Sequence, residues 1–356
     1  MYNAEQTIDE CSLFNEAYQN AFGYVNHYTA NSIYRNLVRE GTINLNEGVT
    51  FSEMVEILEI KPIYQPLLKW AMAYLQQLDL LNVNNGRFQR NKTYTFPYPR
   101  PVSTNVQASI NLINYISLYW LDILRGKKKA LSLLFNQEGT ILWDTYFNNS
   151  HDLYSPHNQW AAEIAVADLP EKATILELGA GYGSASESLL FEHKHQRLNS
   201  ISNYILTDVS PYLIKPTGKK VTKQFPELSL ELKKLNVNQI DLTDTNQTVD
   251  LIYAVNVLHC SKDLEYSLRE LKELLRPGGQ IVISECVRSD YDTRMHQEYI
   301  FSLLPDFQEI QTNTSAPCYG FLTANDWENI FRKSGYHHVE MFKNSGEDRG
   351  IIIKAN

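Results

Sequence analysis

The sequence predicts an α/β protein: a mostly parallel sheet of seven strands, preceded by a mainly α, winged-helix-like region. Three observations predict it. Hydrophobic spacing changes near residue 170, from a helical period to short apolar runs alternating with amphipathic helices, the pattern of a buried parallel sheet. The first of those runs leads into a glycine-rich turn, Glu177-Leu178-Gly179-Ala180-Gly181-Tyr182-Gly183, and then a helix. The chain has 356 residues, 43% of them hydrophobic and 21% charged, which is about two domains' worth of ordinary folded composition.

Taken in order, the first half reads as helices. Thr50 and Glu53 form a capping box ahead of a helix over Phe51 to Ile60. Pro66 precedes Leu67, Leu68, Ala71, Tyr74, Leu75 and Leu78 at helical spacing, and Asn85-Gly86 then signals a hairpin turn. Helix, helix and small hairpin suggest a winged helix. Residues 1–100 hold 8 Lys/Arg against 10 Asp/Glu, and the whole chain carries a formal charge of −9, so the basic footprint of a nucleic-acid binder is missing. A packing or dimerisation module is the better reading. Leu112 to Leu124, the most hydrophobic stretch, is broken by Asn114, Ser117 and Asp122 and falls short of the roughly 20 apolar residues that span a bilayer, so it reads as a buried core helix.

In the second half the predicted strands are Thr174 to Leu178, Asn203 to Thr207, Leu228 to Leu235, Val249 to Ala254, Gln280 to Glu285, His338 to Phe342 and Gly350 to Lys354. Seven such strands fit a complete Rossmann-like domain. Leu264, Leu268, Leu271 and Leu275 share one helix face, with Ser261 or Asp263 as N-cap and Pro277-Gly278-Gly279 as terminator. The expected organisation is a winged-helix-like domain over 1–105, a helical lid or linker over 106–170 and a ligand-binding sheet domain over 171–356.

The chemistry gathers at the strand ends. The glycine spacing is E-x-G-x-G-x-G, with Ser184 where a dinucleotide fingerprint has its third glycine, which favours a nucleoside ligand without a pyrophosphate. Asp208, closing the second strand, is placed to accept both ribose hydroxyls. The fourth strand runs into Val255-Asn256-Val257-Leu258-His259 and the fifth ends Ile283-Ser284-Glu285, so both ends point into one crevice. A carboxylate beside an imidazole orients the ring and raises its basicity, as proton abstraction requires. His193 and His195 read as a solvated helix end, and His337-His338 flanks a strand; His296 falls in a segment without a readable pattern. Cys11, Cys260, Cys286 and Cys318 lie far apart with no CxxC pair, which fits reduced thiols. MYNAEQTIDE lacks a basic n-region followed by an apolar stretch, so a cytoplasmic location is expected.

These motifs carry a resemblance. ILELGAGYG, YILTDVSP, DLIYAVNVLH and LKELLRPGGQIVISE resemble a class I S-adenosylmethionine-dependent methyltransferase. More narrowly, residues from about 120 to 342 resemble the C-methyltransferase domains of polyketide synthases, in DILRGKKKALSLLF, YSPHNQW, TDVSPYLI, NVLHCSKDL and GFLTANDWENIFRKSGY. The resemblance implies S-adenosylmethionine as cofactor, held by Glu177, Gly179, Gly181, Gly183, Asp208, Val209, Asn236 and Asn256. Asn236 stands where many relatives carry Asp near the adenine. It further implies that His259 and Glu285 form a catalytic dyad enolising a β-carbonyl thioester on an acyl carrier protein, in polyketide biosynthesis and secondary metabolism, with Tyr154 and Asn158 lining the substrate pocket. Lys127 to Lys129 is a candidate contact for the acidic carrier or the phosphate of its arm. The first 100 residues look more like the winged-helix dimerisation domain of small-molecule O-methyltransferases, which implies a homodimer. The alternatives are O-methylation of a small hydroxylated metabolite and a non-catalytic binding protein on the same fold. No metal-ligand spacing is recognisable and a metal stays open; neither nucleic acid nor membrane is expected as a partner.

Overall fold

Seven apolar runs pair into one sheet in the computed structural model, which describes residues 13–39, 43–102, 104–195, 201–240, 248–304, 320–344 and 349–356. Internal contacts divide the chain into two units. One takes Asn15–Leu153 and the segment from Asp292; the other takes Tyr154–Tyr291 and the described residues beyond 319. The segment expected as a lid over 106–170 is therefore shared between them.

In the helical unit, α1 (Glu16–Val38) is capped by Asn15, whose side chain accepts from the Tyr18 N–H. At α2 (Phe51–Ile57) both halves of the capping box form: Thr50 Oγ1 accepts from Glu53 N at 3.2 Å, and Glu53 Oε2 accepts from Thr50 N at 2.8 Å. The helix stops short of the expected Ile60, and Glu59 just beyond it takes a left-handed φ of 57°. α3 (Gln65–Gln77) has Pro66 in its first turn, and β1 (Leu81–Asn84) pairs antiparallel with β2 (Arg87–Arg90). Asn85 and Gly86 between them have φ of 50° and 74°, as a type I′ turn demands. The expected helix, helix and hairpin follow one another in that order. α4 (Gln107–Leu124) buries Leu112, Ile116, Trp120, Ile123 and Leu124, and is the core helix expected there. α5 (Ala130–Leu134) and α6 (Gln137–Phe147) follow. Local contacts engage two of the three lysines ahead of α5: Lys127 lies 3.7 Å from Glu59, and Lys128 sits 4.4 Å over the Tyr119 ring.

The unreadable segment around His296 belongs to this unit. A short helical turn, Glu298–Phe301, buries Glu298, whose Oε2 accepts from Trp70 Nε1 at 2.7 Å and Met295 N at 2.9 Å. His296 Nδ1 lies 2.9 Å from Asn26 Oδ1. No described helix is long and apolar enough to cross a membrane.

The second unit opens with α7 (Ser155–Ala167) and continues as β3 (Thr174–Leu178), α8 (Ser184–His195), β4 (Asn203–Asp208), α9 (Pro211–Gln224), β5 (Leu230–Lys234), β6 (Val249–Val255), α10 (Leu264–Glu273), β7 (Leu275–Glu285), α11 (Ala324–Lys333), β8 (Val339–Lys343) and β9 (Ile351–Ala355). The sheet order is β5-β4-β3-β6-β7-β9-β8. Pairings up to β7 are parallel, and β9 runs antiparallel between β7 and β8. All seven expected strands form. Asp263, rather than Ser261, caps α10, its side chain accepting from Tyr266 N at 2.9 Å. The helix ends at Glu273, and Pro277-Gly278-Gly279 lies inside β7 instead of terminating the helix, because the β6–β7 pairing already begins at Leu275. One sheet face packs on α10 and α11 through Ile252, Ile281, Ile283, Leu268, Leu271, Trp327 and Phe331. Leu268 is fully buried there, so Leu268→Ala should cost about 2–5 kcal/mol, read as a lower urea midpoint for the sheet unit by circular dichroism.

Candidate active site

The strand order reverses at β3, with β4 on one side and β6 on the other, so the carboxyl end of β3 opens a crevice where such sheets bind ligands. The loop after β3 needs its glycines. Gly179 and Gly181 have φ of 58° and 51°, and a Cβ on Gly179 would stand 2.6 Å from Val257 Cγ2. A Cβ on Gly181 would meet nothing nearer than the Gly179 carbonyl at 3.8 Å, so that glycine borders open space. Gly183, with φ of 82°, packs against Thr217. The loop is braced from two elements: Asp208 Oδ2 accepts from Gly181 N at 2.9 Å, and Thr217 Oγ1 donates to Gly181 O at 2.7 Å.

Asp208 also accepts from Ser210 N through Oδ1 at 2.7 Å. Burial raises its pKa, against the pull of these backbone N–H groups. Val209 beside it is 56% exposed and leaves an apolar side chain at the strand end. Asn236 uses Oδ1 in its own turn, accepting from Asn238 N at 3.0 Å. Glu177 lies buried on β3, where its Oε2 accepts from Ser186 Oγ at 2.6 Å and Tyr204 OH at 2.9 Å; burial pushes its pKa up to about 7. Its Oε1 is buried with no hydrogen-bond partner among the described residues.

At the ends of β6 and β7, His259 and Glu285 meet, with Nδ1 2.7 Å from Oε2. Glu285 is fully buried, and its Oε1 accepts from Val257 N at 3.1 Å and Leu258 N at 2.8 Å. Burial disfavours a charged His259 ring, yet Cys260 and the Glu285 carboxylate outweigh it and hold the pKa well above the usual histidine value. Asn256, at a left-handed φ of 54°, anchors the approach: its N donates to Ser284 O at 2.7 Å, and its Oδ1 accepts from Cys286 N at 2.8 Å. Its buried amide also faces the Tyr154 hydroxyl, and Asn158 Oδ1 is buried without a hydrogen-bond partner among the described residues. Tyr154, just ahead of α7, has its hydroxyl 3.5 Å from Val255 O, and burial raises its pKa.

Residues 176–281 match the family profile described as a methyltransferase domain. The sheet unit thus contains a segment with the profile of a methyltransferase domain. Over 244 residues the chain is 27% identical to the non-reducing polyketide synthase atr1 of Stereocaulon alpinum, a match covering 67% of this chain and 9% of that protein. Over 307 residues it is 24% identical to the non-reducing polyketide synthase dpmaA of Metarhizium anisopliae, covering 80% of this chain and 14% of that one. The chain thus spans about a tenth of the length of the synthases it matches. Among solved structures, the CurJ carbon methyltransferase has a TM-score of 0.74 at 20% identity, covering 97% of this chain and 94% of its own. The C-methyltransferase domain of the citrinin polyketide synthase has a TM-score of 0.72 at 20% identity, with 97% and 90% covered. Such coverage takes in the helical unit, so the shared fold extends beyond the sheet.

Sequence reading missed Phe321, whose ring centroid lies 5.0 Å from that of His259. Its only signal was its place in the GFLTANDWENIFRKSGY stretch. Cys260 and Cys286 are free thiols, while Cys11 and Cys318 lie outside the described residues; those residues hold no group of three or more His, Cys, Asp or Glu fit for a metal. Gly179→Ala should abolish detectable cofactor binding by calorimetry while the sheet still folds, because the added methyl strains the φ and meets Val257. A raised folded pKa at His259 means the Glu285 pair stabilises the fold fully below pH of about 6.5 and loses that contribution as pH rises through the folded value. Urea midpoints should therefore fall as pH rises above about 6.5 in the parent and much less in Glu285→Gln; parallel profiles would refute the pairing.

Proposed function

We propose that this chain methylates the α-carbon of a β-carbonyl thioester carried on an acyl carrier protein, in polyketide-type natural-product biosynthesis. The observation that carries this reading is the buried His259–Glu285 pair at the mouth of the glycine-loop crevice. Support comes from the polyketide synthases among the relatives and from the fold shared with carbon methyltransferases along nearly the whole chain.

The residues fit the cofactor. Gly179 and Gly181 give a backbone cradle with room above the second glycine, Asp208 keeps lone-pair capacity for a ribose hydroxyl beyond its backbone bonds, and Val209 offers an apolar surface to a base. Asn236, its carbonyl engaged by Asn238, has its NH2 left and would hold an adenine ring nitrogen with it. Glu177 and Gly183 act from beneath, fixing the strand-to-helix turn. A trans-methyltransferase solved with S-adenosylhomocysteine shares the fold, with a TM-score of 0.67. Bound there, S-adenosylmethionine supplies a methyl group already activated by its sulfonium.

What remains for the protein is to generate the nucleophile and hold it in line. His259 takes the α-proton; the C–H electron pair passes into the enolate, and Glu285 holds the ring and stabilises the imidazolium. The Asn256 NH2 and the Tyr154 hydroxyl, which pair with each other, are donors suited to the enolate oxygen, and Asn158 lies buried on α7. Because His259 must be neutral to accept a proton, the rate should rise with pH through its raised pKa.

Single-turnover transfer to a β-ketoacyl carrier thioester tests the reading. His259→Ala should lose about 10²–10⁴ in rate with cofactor affinity unchanged, and Glu285→Gln should lose less. Undiminished transfer in His259→Ala refutes the base assignment, and methylation of a phenol panel with none on the thioester carbon replaces carbon by oxygen as the acceptor.

A further inference from the structure

Arg288, three residues beyond Glu285, is 1% exposed. A guanidinium carries five N–H donors, and burying one costs several kcal/mol unless acceptors meet it. Its Nε donates to the Phe321 carbonyl at 2.7 Å, and its backbone N–H donates to Leu322 O at 3.2 Å; residues 288 and 323 form a parallel bridge outside the main ladder. The chain leaving β7 therefore grips the 321–323 segment by side chain and backbone together. Phe321, 2% exposed, lays its ring at 5.0 Å and 34° to the His259 imidazole. One short stretch, 285–288, thus fixes the imidazole twice: Glu285 holds its Nδ1, and Arg288 holds the ring that covers its face.

We propose that Arg288 is a positioning residue that acts through the Phe321 carbonyl, keeping the Phe321 π-face against His259 to stabilise the imidazolium formed when the base takes a proton. This rests on the reading of His259 as the base. An aromatic face within about 6 Å of a cation attracts it, most strongly where water is excluded. Among the described residues, titratable groups near the imidazole include Glu285 at the end of β7 with Cys286 next to it, Cys260 on its own turn, and Tyr154, which lies close enough to feel Glu285, Cys286 and Cys260. Arg288 is itself a cation. Acting directly through space it would make His259 easier to deprotonate; acting through Phe321 it does the reverse. The two routes differ in sign.

The test follows the His259 imidazole by NMR titration in the full chain without any acceptor, its resonance assigned by its loss in His259→Asn. Phe321→Leu keeps an apolar cover and removes the π-face, so the midpoint should fall by roughly half a unit to one unit. Arg288→Met should lower it in the same direction, and should not lower it further in a Phe321→Leu background. Arg288→Lys, which keeps the charge and a donor without the planar fork, should give a smaller fall. A midpoint that rises or stays put in Arg288→Met overturns the proposal; if that variant does not fold, an unmoved midpoint in Arg288→Lys does so. The titration needs no methyl transfer, so a failure of the carbon-acceptor reading leaves its outcome legible, and a failure here leaves that reading standing.

Discussion

A carboxylate sealed from water must be given hydrogen bonds by the protein, and Glu285 takes three from consecutive residues, Val257, Leu258 and His259. The turn after β6 is shaped around that anion. Asn256 reverses the chain into a left-handed conformation and ties itself back to β7 on both sides, through Ser284 O and Cys286 N. With both strand ends stitched together, the imidazole has little freedom left. Removing the carboxylate would unmake the turn as well as the pair, so at this site the demands of folding and of proton transfer fall on one side chain.

The glycine loop shows the same economy. Its shape is set by Asp208 and Thr217 before any ligand enters, through the N–H and the carbonyl of a single residue, Gly181. A nucleoside bound at Asp208 would meet a carboxylate already oriented by backbone donors, so little ordering remains to be done on binding.

Much of this was legible in the sequence, because parallel strands separated by helices deliver their carboxyl ends to one edge. That rule alone brought His259 and Glu285, 26 residues apart, into one crevice. The central strands β3, β4 and β6 were readable for the same reason: apolar runs in a sheet buried on both faces are nearly continuous. What escaped depends on contacts between distant segments. Nothing local to Glu177 says that Ser186 and Tyr204 will engage it, nor that Asp208 will turn toward Gly181. The end of α10 was misjudged because Pro277 and the glycines after it, which usually stop a helix, lie instead inside a strand that begins at Leu275. Phe321 reaches His259 across 62 positions of sequence, a distance no periodicity reports.

The placement of β9 bears on how the domain is made. β7, whose last residue is Glu285, is flanked by β6 on one side and by β9 on the other, with Glu285 itself opposite Ile351. A ribosome delivers β6 and β7 well before residues 351–355, so during synthesis the strand bearing the carboxylate has one unpaired edge while most of the sheet is already available. Open strand edges recruit wrong partners, and pairings this far apart in sequence form late. Synthesis thus holds the β9-facing edge of β7, and with it the strand that carries Glu285, open until the β8–β9 hairpin arrives.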